Sequence, residues 1–445
     1  MFIMMSFPPE KSKKILLFGI IESIIILSAI LWAFYGLKTV FLGDTLTSRF
    51  ATIYALTYHH TWYINRPPES SPNPFESKTV DKVQVKNGII SSKPPILSLF
   101  MTAEYQFLKR IGYSLDNPQQ LKPIAQIMIV INVIIPYLFS ILFFWKFLYK
   151  IKISPLVRII SLLTLLYGTQ WSALASHFTN HVPATACLIL GLYFIWKTLS
   201  APGTVPITYY LLIGLFSSLV YTIDLPLTIF ISFAILLLLL LKKNLTKTIL
   251  YIAVGALPIL LIHLAIMYHL TGNILPVQIS REPFLFESSY WRHPAGPDAL
   301  HHPKYLYAFH ILIGAKGLFL LYPVLIFGLC TLLSPGTWKT LTPNVKISYL
   351  LFLCSFIIFN IYYIFSTNNY GGVSYGFRWH TGSMPLFLCA CLPFFENKKY
   401  KFSFWIIWVI FFLISFYSTY ECRLYPWSID KEWAVRLLFG SIITN

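Results

Sequence analysis

Apolar runs about twenty residues long recur from end to end of this 445-residue chain, and that recurrence decides more than any motif. A run of that length crosses a hydrocarbon core of roughly 30 Å as a helix. In such a medium only helices or closed barrels satisfy the backbone. The runs fall at approximately 15–34, 124–146, 157–174, 182–198, 207–222, 225–241, 247–268, 316–333, 347–365, 382–396 and 403–420. The expected fold is an all-α polytopic membrane protein with about eleven transmembrane helices. Charged residues make up 11% of the chain. Soluble domains carry roughly a quarter, so a soluble enzyme is excluded. The first run is long for the apolar core of a signal peptide and no small-residue cleavage site follows it, so it reads as a retained first helix.

A net charge of +18 invites a nucleic-acid partner, yet no basic patch is interleaved with polar surface. The cations instead bracket the apolar runs. With the N-terminus and its Lys11, Lys13 and Lys14 inside, the inner connections hold Lys146, Lys150, Lys152 and Arg158, then Lys197, then Lys242, Lys243 and Lys247. Lys339 and Lys346 follow, then Lys398, Lys399 and Lys401. Each connection is short and almost free of acid, which is the positive-inside pattern. The six cysteines suggest no disulfide framework.

The remaining polar chemistry falls outside. A single membrane domain over 1–445 is expected, with a first extracytoplasmic loop at 35–123, a second at 269–315 and an extracytoplasmic tail at 421–445. These segments are too aromatic for disorder, and no internal repeat of the transporter kind is visible. In "TSRFATIYALTYHHTW", Phe50, Ile53, Tyr54 and Thr57 form one helical stripe, too short and polar to span. "NRPPESSPNPF" reads as irregular. After "KPP", Ile96, Leu99, Phe100, Ala103, Phe107, Leu108 and Ile111 repeat the stripe, with Pro95 suited to a first turn. Two interfacial helices are expected in this loop. Lys93 stands where the second begins, and a helix N-terminus plus an ammonium suits a phosphate.

Each candidate residue has a plainer alternative. Asp44 is either a helix-start acid favouring the dipole or a general base, and Arg49 its ion-pair partner or a phosphate ligand. Asp81 in "TVDKV" is either a surface-turn acid or catalytic. Asn180 and His181 in "SHFTNHVPA", with His177 one turn earlier, are either satisfied structural groups or a polar cluster at a helix mouth. Asp224 in "YTIDLPLTIF" lies between two apolar runs, where a carboxylate is costly unless used. Trp291 and Arg292 in "YWRHPAGPD", followed by His301 and His302, offer substrate contacts. Adjacent histidines without carboxylate or cysteine spacing make a weak metal signal, so no metal and no cofactor are expected. "NNYGGVSYGFRWH" supplies tight glycine backbone, the aromatics Tyr370, Tyr375 and Trp379, and the guanidinium of Arg378. Sugars and phosphates bind such groups, whereas an aromatic belt would use the rings alone.

A span, an acid, an interfacial helix and then "SSKPP" opening another resembles the GT-C-fold polyprenyl-phosphate-dependent membrane glycosyltransferases. The nearest kinds are the protein O-mannosyltransferases and the aminoarabinose transferases. The likeness is closest over about 40–112, with weaker support from "NHVPA" and "DLP". "SRFATIYAL", "TVDKV", "SSKPP", "NNYGG" and "RW" look like an uncharacterised bacterial membrane-protein group tied to that superfamily. The resemblance implies sugar transfer from a polyprenyl-phosphate donor to an extracytoplasmic glycan, lipid or protein, in a bacterial cytoplasmic membrane with the N-terminus in the cytoplasm. It implies Asp44 as the first-loop acid and Lys93 as the contact to the lipid phosphate. Where the family commonly has a second acid beside the first, this chain has Thr45. Where a later acid is expected it has Asn180 and His181, and Asp224 is a substitute carboxylate. The alternative function is a transporter or flippase of lipid-linked saccharides, using the same groups without transfer chemistry.

Overall fold

The computed structural model describes residues 13–39, 42–65, 72–242, 244–399 and 401–438. Lys11, part of the proline-rich stretch (66–71), Lys243 and the end of the tail (439–445) lie outside the described residues. The order begins α1 (Lys13–Gly36), α2 (Asp44–Tyr58), β1 (Lys82–Val85), β2 (Gly88–Ser91) and α3 (Pro95–Arg110). It continues with α4 (Pro118–Ile129), α5 (Ile135–Lys150), α6 (Pro155–Tyr167), α7 (Gln170–Ala173), α8 (His181–Ser200), α9 (Ile207–Ile223), α10 (Thr228–Leu241) and α11 (Leu245–Thr271). After the second long loop come α12 (Lys304–Leu312), α13 (Leu318–Leu321), α14 (Phe327–Leu333), α15 (Pro335–Thr340), α16 (Pro343–Ser366), α17 (Met384–Lys398), α18 (Phe402–Leu424) and α19 (Trp433–Leu438).

Every apolar run read from the sequence falls on helix. Among the described residues, six helices are long and apolar enough to cross a membrane, and seven if a bent pair counts as one span. The chain is an integral membrane protein of all-α class, with two helices in its first long loop. Three of the predicted runs are irregular for visible reasons. Between α4 and α5, Val130–Ile134 widens to a π turn, just where Pro136 cannot offer the carbonyl of Asn132 an N–H. The run at 157–174 bends by 53° between α6 and the segment beginning with α7, past Gly168. The run at 316–333 breaks at Pro323 into α13, a 3-10 turn and α14.

Helix α11 is bare along most of its length, exposing Ile249, Leu250, Val254, Leu257, Leu261 and Ile262. It is fastened to α9 by glycines. A Cβ on Gly214 would stand 2.0 Å from the carbonyl oxygen of Ile252, and one on Gly255 would stand 2.1 Å from that of Leu211. Small residues let membrane helices approach this closely.

The first loop departs from expectation in three ways. Helix α2 is enclosed, with Leu46 through Ala55 all buried, rather than resting on a surface by one stripe. Its polar residues Ser48, Arg49 and Thr52 are sequestered along with Phe50 and Ile53. Helix α3 buries Leu97, Met101, Tyr105 and Leu108, while Phe100, Phe107 and Ile111 of the predicted stripe point outward, the face a membrane would meet. Finally, Asp81 is not in a simple surface turn. It precedes an antiparallel hairpin with Val83 opposite Ile90 and Val85 opposite Gly88. The alternation in "KVQV" and the two-residue turn at Lys86-Asn87, with Gly88 following as the first residue of β2, carry that signal.

Candidate functional site

Three polar side chains on the first loop are held by short, specific contacts. Arg49 is buried in α2. Its Nη1 donates to Ser98 Oγ at 2.8 Å and to the Pro94 carbonyl at 3.3 Å, and its Nη2 donates to Asn180 Oδ1 at 2.5 Å. One guanidinium thus ties α2 to the starts of α3 and α8. Its Nε is enclosed without a partner among the described residues, a costly state for a buried donor. Burial pulls this group down to about 9, with the charge of Asp81 opposing, so it remains a cation at neutral pH.

Asp81 and Lys93 face each other, Oδ2 to Nζ, at 2.7 Å. Serines fix both. Ser48 Oγ donates to the Asp81 carbonyl at 2.7 Å and lies 2.6 Å from Ser91 Oγ. Ser91 Oγ in turn accepts from the Lys93 N–H at 3.1 Å, and the Ser92 N–H donates to the Asp81 carbonyl at 3.0 Å. Burial pushes the Lys93 ammonium below its ordinary value; Asp81 raises it, while the nearby Arg378 and Arg49 lower it. Lys93 also borders a cleft of about 330 Å³ lined by Trp62, Ile90, Pro95, Met267, Leu270 and Val277 among others. Gln278 closes the cleft by donating to the Ser92 carbonyl at 2.7 Å.

Arg378 reaches the same place from the glycine-rich loop. Gly371, Gly372 and Gly376 have φ of 92°, 71° and 57°, conformations that favour glycine. Asn369 Oδ1 accepts from the N–H groups of Gly371 at 2.6 Å and Gly372 at 2.5 Å, and its amide donates to Asp298 at 2.5 Å. Tyr290 donates to the other oxygen of Asp298 at 3.2 Å. Burial pushes the Asp298 carboxyl up, with Tyr290 and Arg378 opposing. At the far end of the loop, buried Lys316 pairs with buried Glu432 at 2.5 Å and donates to the Ser374 carbonyl at 2.6 Å. Glu432 also accepts the Gly376 N–H at 3.0 Å. Arg378 emerges from this clamp over the Trp427 ring at 5.5 Å. It makes no ion pair within 4.0 Å among the described residues. Burial lowers its guanidinium, and the carboxylates of Asp81, Asp298 and Asp224 act against that.

His181 opens α8, and its Nδ1 lies 2.5 Å from Asp224 Oδ2 at the end of α9. Both side chains are buried. Arg49 holds Asn180, the residue before His181, and Arg378 feels the charges of both Asp81 and Asp224, so the pair adjoins the group formed by Arg49, Asp81, Lys93 and Arg378.

Other predicted residues sit elsewhere. Asp44 is exposed, with Oδ1 accepting the Val80 N–H at 3.1 Å and its carbonyl accepting the Thr79 hydroxyl at 3.1 Å. It is in the first turn of α2, behind Gly43 at the cap, and borders the strand approach that carries Asp81. Trp291 donates to the Val80 carbonyl at 3.1 Å, which brings the second loop onto the first. Arg292 is exposed and forms no ion pair among the described residues. Tyr370 faces inward, 1% exposed, against the Tyr307 ring at 4.8 Å and with its hydroxyl 2.7 Å from His302 Nδ1. It braces the loop and has no face open for a sugar to stack on. Tyr375 is likewise buried, donating to Glu421 at 3.0 Å. Trp379 is stacked on Tyr363 at 4.4 Å. Among the described residues, no group of three or more His, Cys, Asp or Glu side chains is arranged to hold a metal ion.

No family model matches this chain. No curated protein matches it. Among solved structures it is similar to the crystal structure of ArnT from Cupriavidus metallidurans bound to undecaprenyl phosphate, at 11% identity and a TM-score of 0.45. The alignment covers 90% of this chain and spans 63% of that one.

Asp298, Tyr290, Asn369, Lys316 and Glu432 were not legible as site residues. Asp298 meets Asn369 and Lys316 meets Glu432 across long stretches of sequence, and "PAGPD" by itself signals only a turn.

Proposed function

We propose that this protein is a membrane glycosyltransferase that takes a sugar from a polyprenyl-phosphate donor and passes it, with inversion, to an acceptor on the extracytoplasmic face. The observation that supports this best is the gathering of Lys93, Arg49 and Arg378 around the single carboxylate of Asp81, at the edge of an apolar cleft. A polyprenyl phosphate has the matching form, a charged head on an apolar tail. Its tail suits the wall of Met267, Leu270 and Val277, and its head suits the cations. When the glycosidic bond breaks, the departing phosphate gains negative charge. Fixed cations in a poorly solvated site stabilise that charge without reorganising, and planar guanidiniums match phosphate oxygens two at a time. Asp81 neutralises Lys93 until a phosphate takes its place. Asp44, whose Oδ2 makes no hydrogen bond among the described residues, borders this approach and suits the acceptor side.

The test is binding and turnover in purified protein. Wild type should bind polyprenyl phosphate and consume a polyprenyl-phosphate sugar. Movement of a saccharide lipid across liposomes without donor consumption would assign the protein to the transporters instead.

A further inference from the structure

We infer that His181 is the proton acceptor of this transfer and that Asp224 is the residue that positions it. The inference rests on the transferase reading above and goes beyond it by naming the base. An effective base needs a fixed orientation, a bare lone pair and access to the acceptor. The His181–Asp224 pair has these. Asp224 Oδ2 faces one ring nitrogen, Nδ1, at 2.5 Å, which in the neutral ring keeps the proton on Nδ1 and gives Nε2 the lone pair. Nε2 makes no hydrogen bond among the described residues and is not among the enclosed unpartnered atoms, so protein does not close it off. The next residue back, Asn180, accepts from Arg49, and the charge of Asp224 reaches Arg378. The dyad is thus linked to two of the cations assigned to the phosphate, to Arg49 through the adjoining Asn180 and to Arg378 through the charge of Asp224.

The rival carboxylates are less well placed. Asp81 stands against Lys93 at 2.7 Å, among the cations assigned to the donor phosphate, and so on the leaving-group side. Asp44 is exposed to solvent and partly spent on the Val80 N–H. A carboxylate that orients a histidine, which in turn faces the reacting hydroxyl, is an arrangement that recurs on unrelated folds.

In the step itself, the acceptor oxygen forms a bond to the anomeric carbon as its proton passes to His181 Nε2. The bond from that carbon to the phosphate oxygen breaks, and its electron pair leaves with the polyprenyl phosphate. The imidazolium is stabilised by Asp224 and returns its proton to solvent. No oxidant or further reactant is needed.

The experiment uses full-length protein in liposomes with polyprenyl-phosphate-linked mannose, glucose and galactose as donors and a membrane lipid extract as acceptor. Release of polyprenyl phosphate is followed, and binding of polyprenyl phosphate alone is measured in parallel. His181→Ala should lose roughly 10²–10⁴-fold in kcat while its affinity for polyprenyl phosphate stays near that of wild type. Added imidazole should restore part of the rate in His181→Ala and none in Asp44→Asn. Asp224→Asn should fall in kcat with KM little changed, and Asp224→Glu should recover part of the loss. A His181→Ala enzyme within about threefold of wild type, beside an Asp44→Asn enzyme reduced in the 10²–10⁴-fold range, would return the base to Asp44. A loss that imidazole leaves untouched, or one matched by weaker polyprenyl-phosphate binding, also overturns the assignment. Wild type that binds polyprenyl phosphate but consumes none of the donors removes the transferase reading first, and this inference with it.

Discussion

Lys93 could be read from the sequence because its role is local: a cation between serines and prolines at the start of a helix. Asp81 could be read only as a candidate acid, because its partner Lys93 lies on the far side of a hairpin. Removing either charge strands the other in a poorly solvated place. Lys93→Ala should weaken polyprenyl-phosphate binding at least about tenfold, a loss of roughly 1.4 kcal/mol, with the protein still folded. Lys93→Arg should recover only part of that affinity, since a planar fork is not a point charge. The pH dependence follows from the depressed ammonium, for which burial is the largest cause. Lys93 loses its proton below the ordinary lysine value of 10.5, so binding should decline on the alkaline side sooner than a solvated lysine would allow. In Lys93→Arg that decline should move to higher pH. The sign is opposite for stability. A lysine whose folded-state value is lowered costs stability while it is charged, and that cost is relieved as pH rises through the lowered value toward 10.5.

Among the elements, the helices were legible and the small connecting pieces were not. Apolar runs of twenty residues leave a membrane chain little choice, so each became helix. The hairpin, the π turn and the loop clamp depend on one or two residues whose partners are far away. The buried Lys316–Glu432 pair makes the clamp testable, because its side chains are 1% and 0% exposed. Breaking a buried pair from one side typically costs about 3–5 kcal/mol. Glu432→Gln should therefore lower the melting temperature measured in detergent and also reduce turnover, because Arg378 loses its platform. Replacing both partners, as in Lys316→Met with Glu432→Leu, should recover most of the stability, since similar apolar volume then fills the space. Turnover should recover less, because the bonds to Ser374 and Gly376 are not restored. Gly376→Ala should behave like the single variant, having a φ of 57° and a Cβ 3.0 Å from Leu321.

For the whole molecule, the asymmetry of charge is the main prediction. The site residues lie on the first loop, the second loop, the starts and ends of spans, and the tail, all assigned by the positive-inside pattern to one face. In a cysteine-free background, single cysteines at exposed Lys86 and exposed Lys339 should differ: an impermeant reagent applied outside should modify position 86 and spare position 339. The reverse result would place the cation cluster in the cytoplasm and end the extracytoplasmic assignment. The proposed orientation was drawn from the sequence, because positive-inside is a property of composition. The meeting of the two long loops over one site was not, because it depends on contacts such as Trp291 with Val80.

The bare flank of α11 has a kinetic consequence. Met267 and Leu270, near its C-terminal end, wall the cleft beside Lys93, while the flank turned away from α9 is exposed and in a membrane would face lipid. A donor with a long tail can then enter sideways from the bilayer and never dissolve in water. Its effective concentration is a mole fraction in two dimensions, not an amount per litre. Spreading a fixed quantity of donor through more inert phospholipid should slow turnover in proportion, and enlarging the aqueous volume around the same liposomes should leave it unchanged.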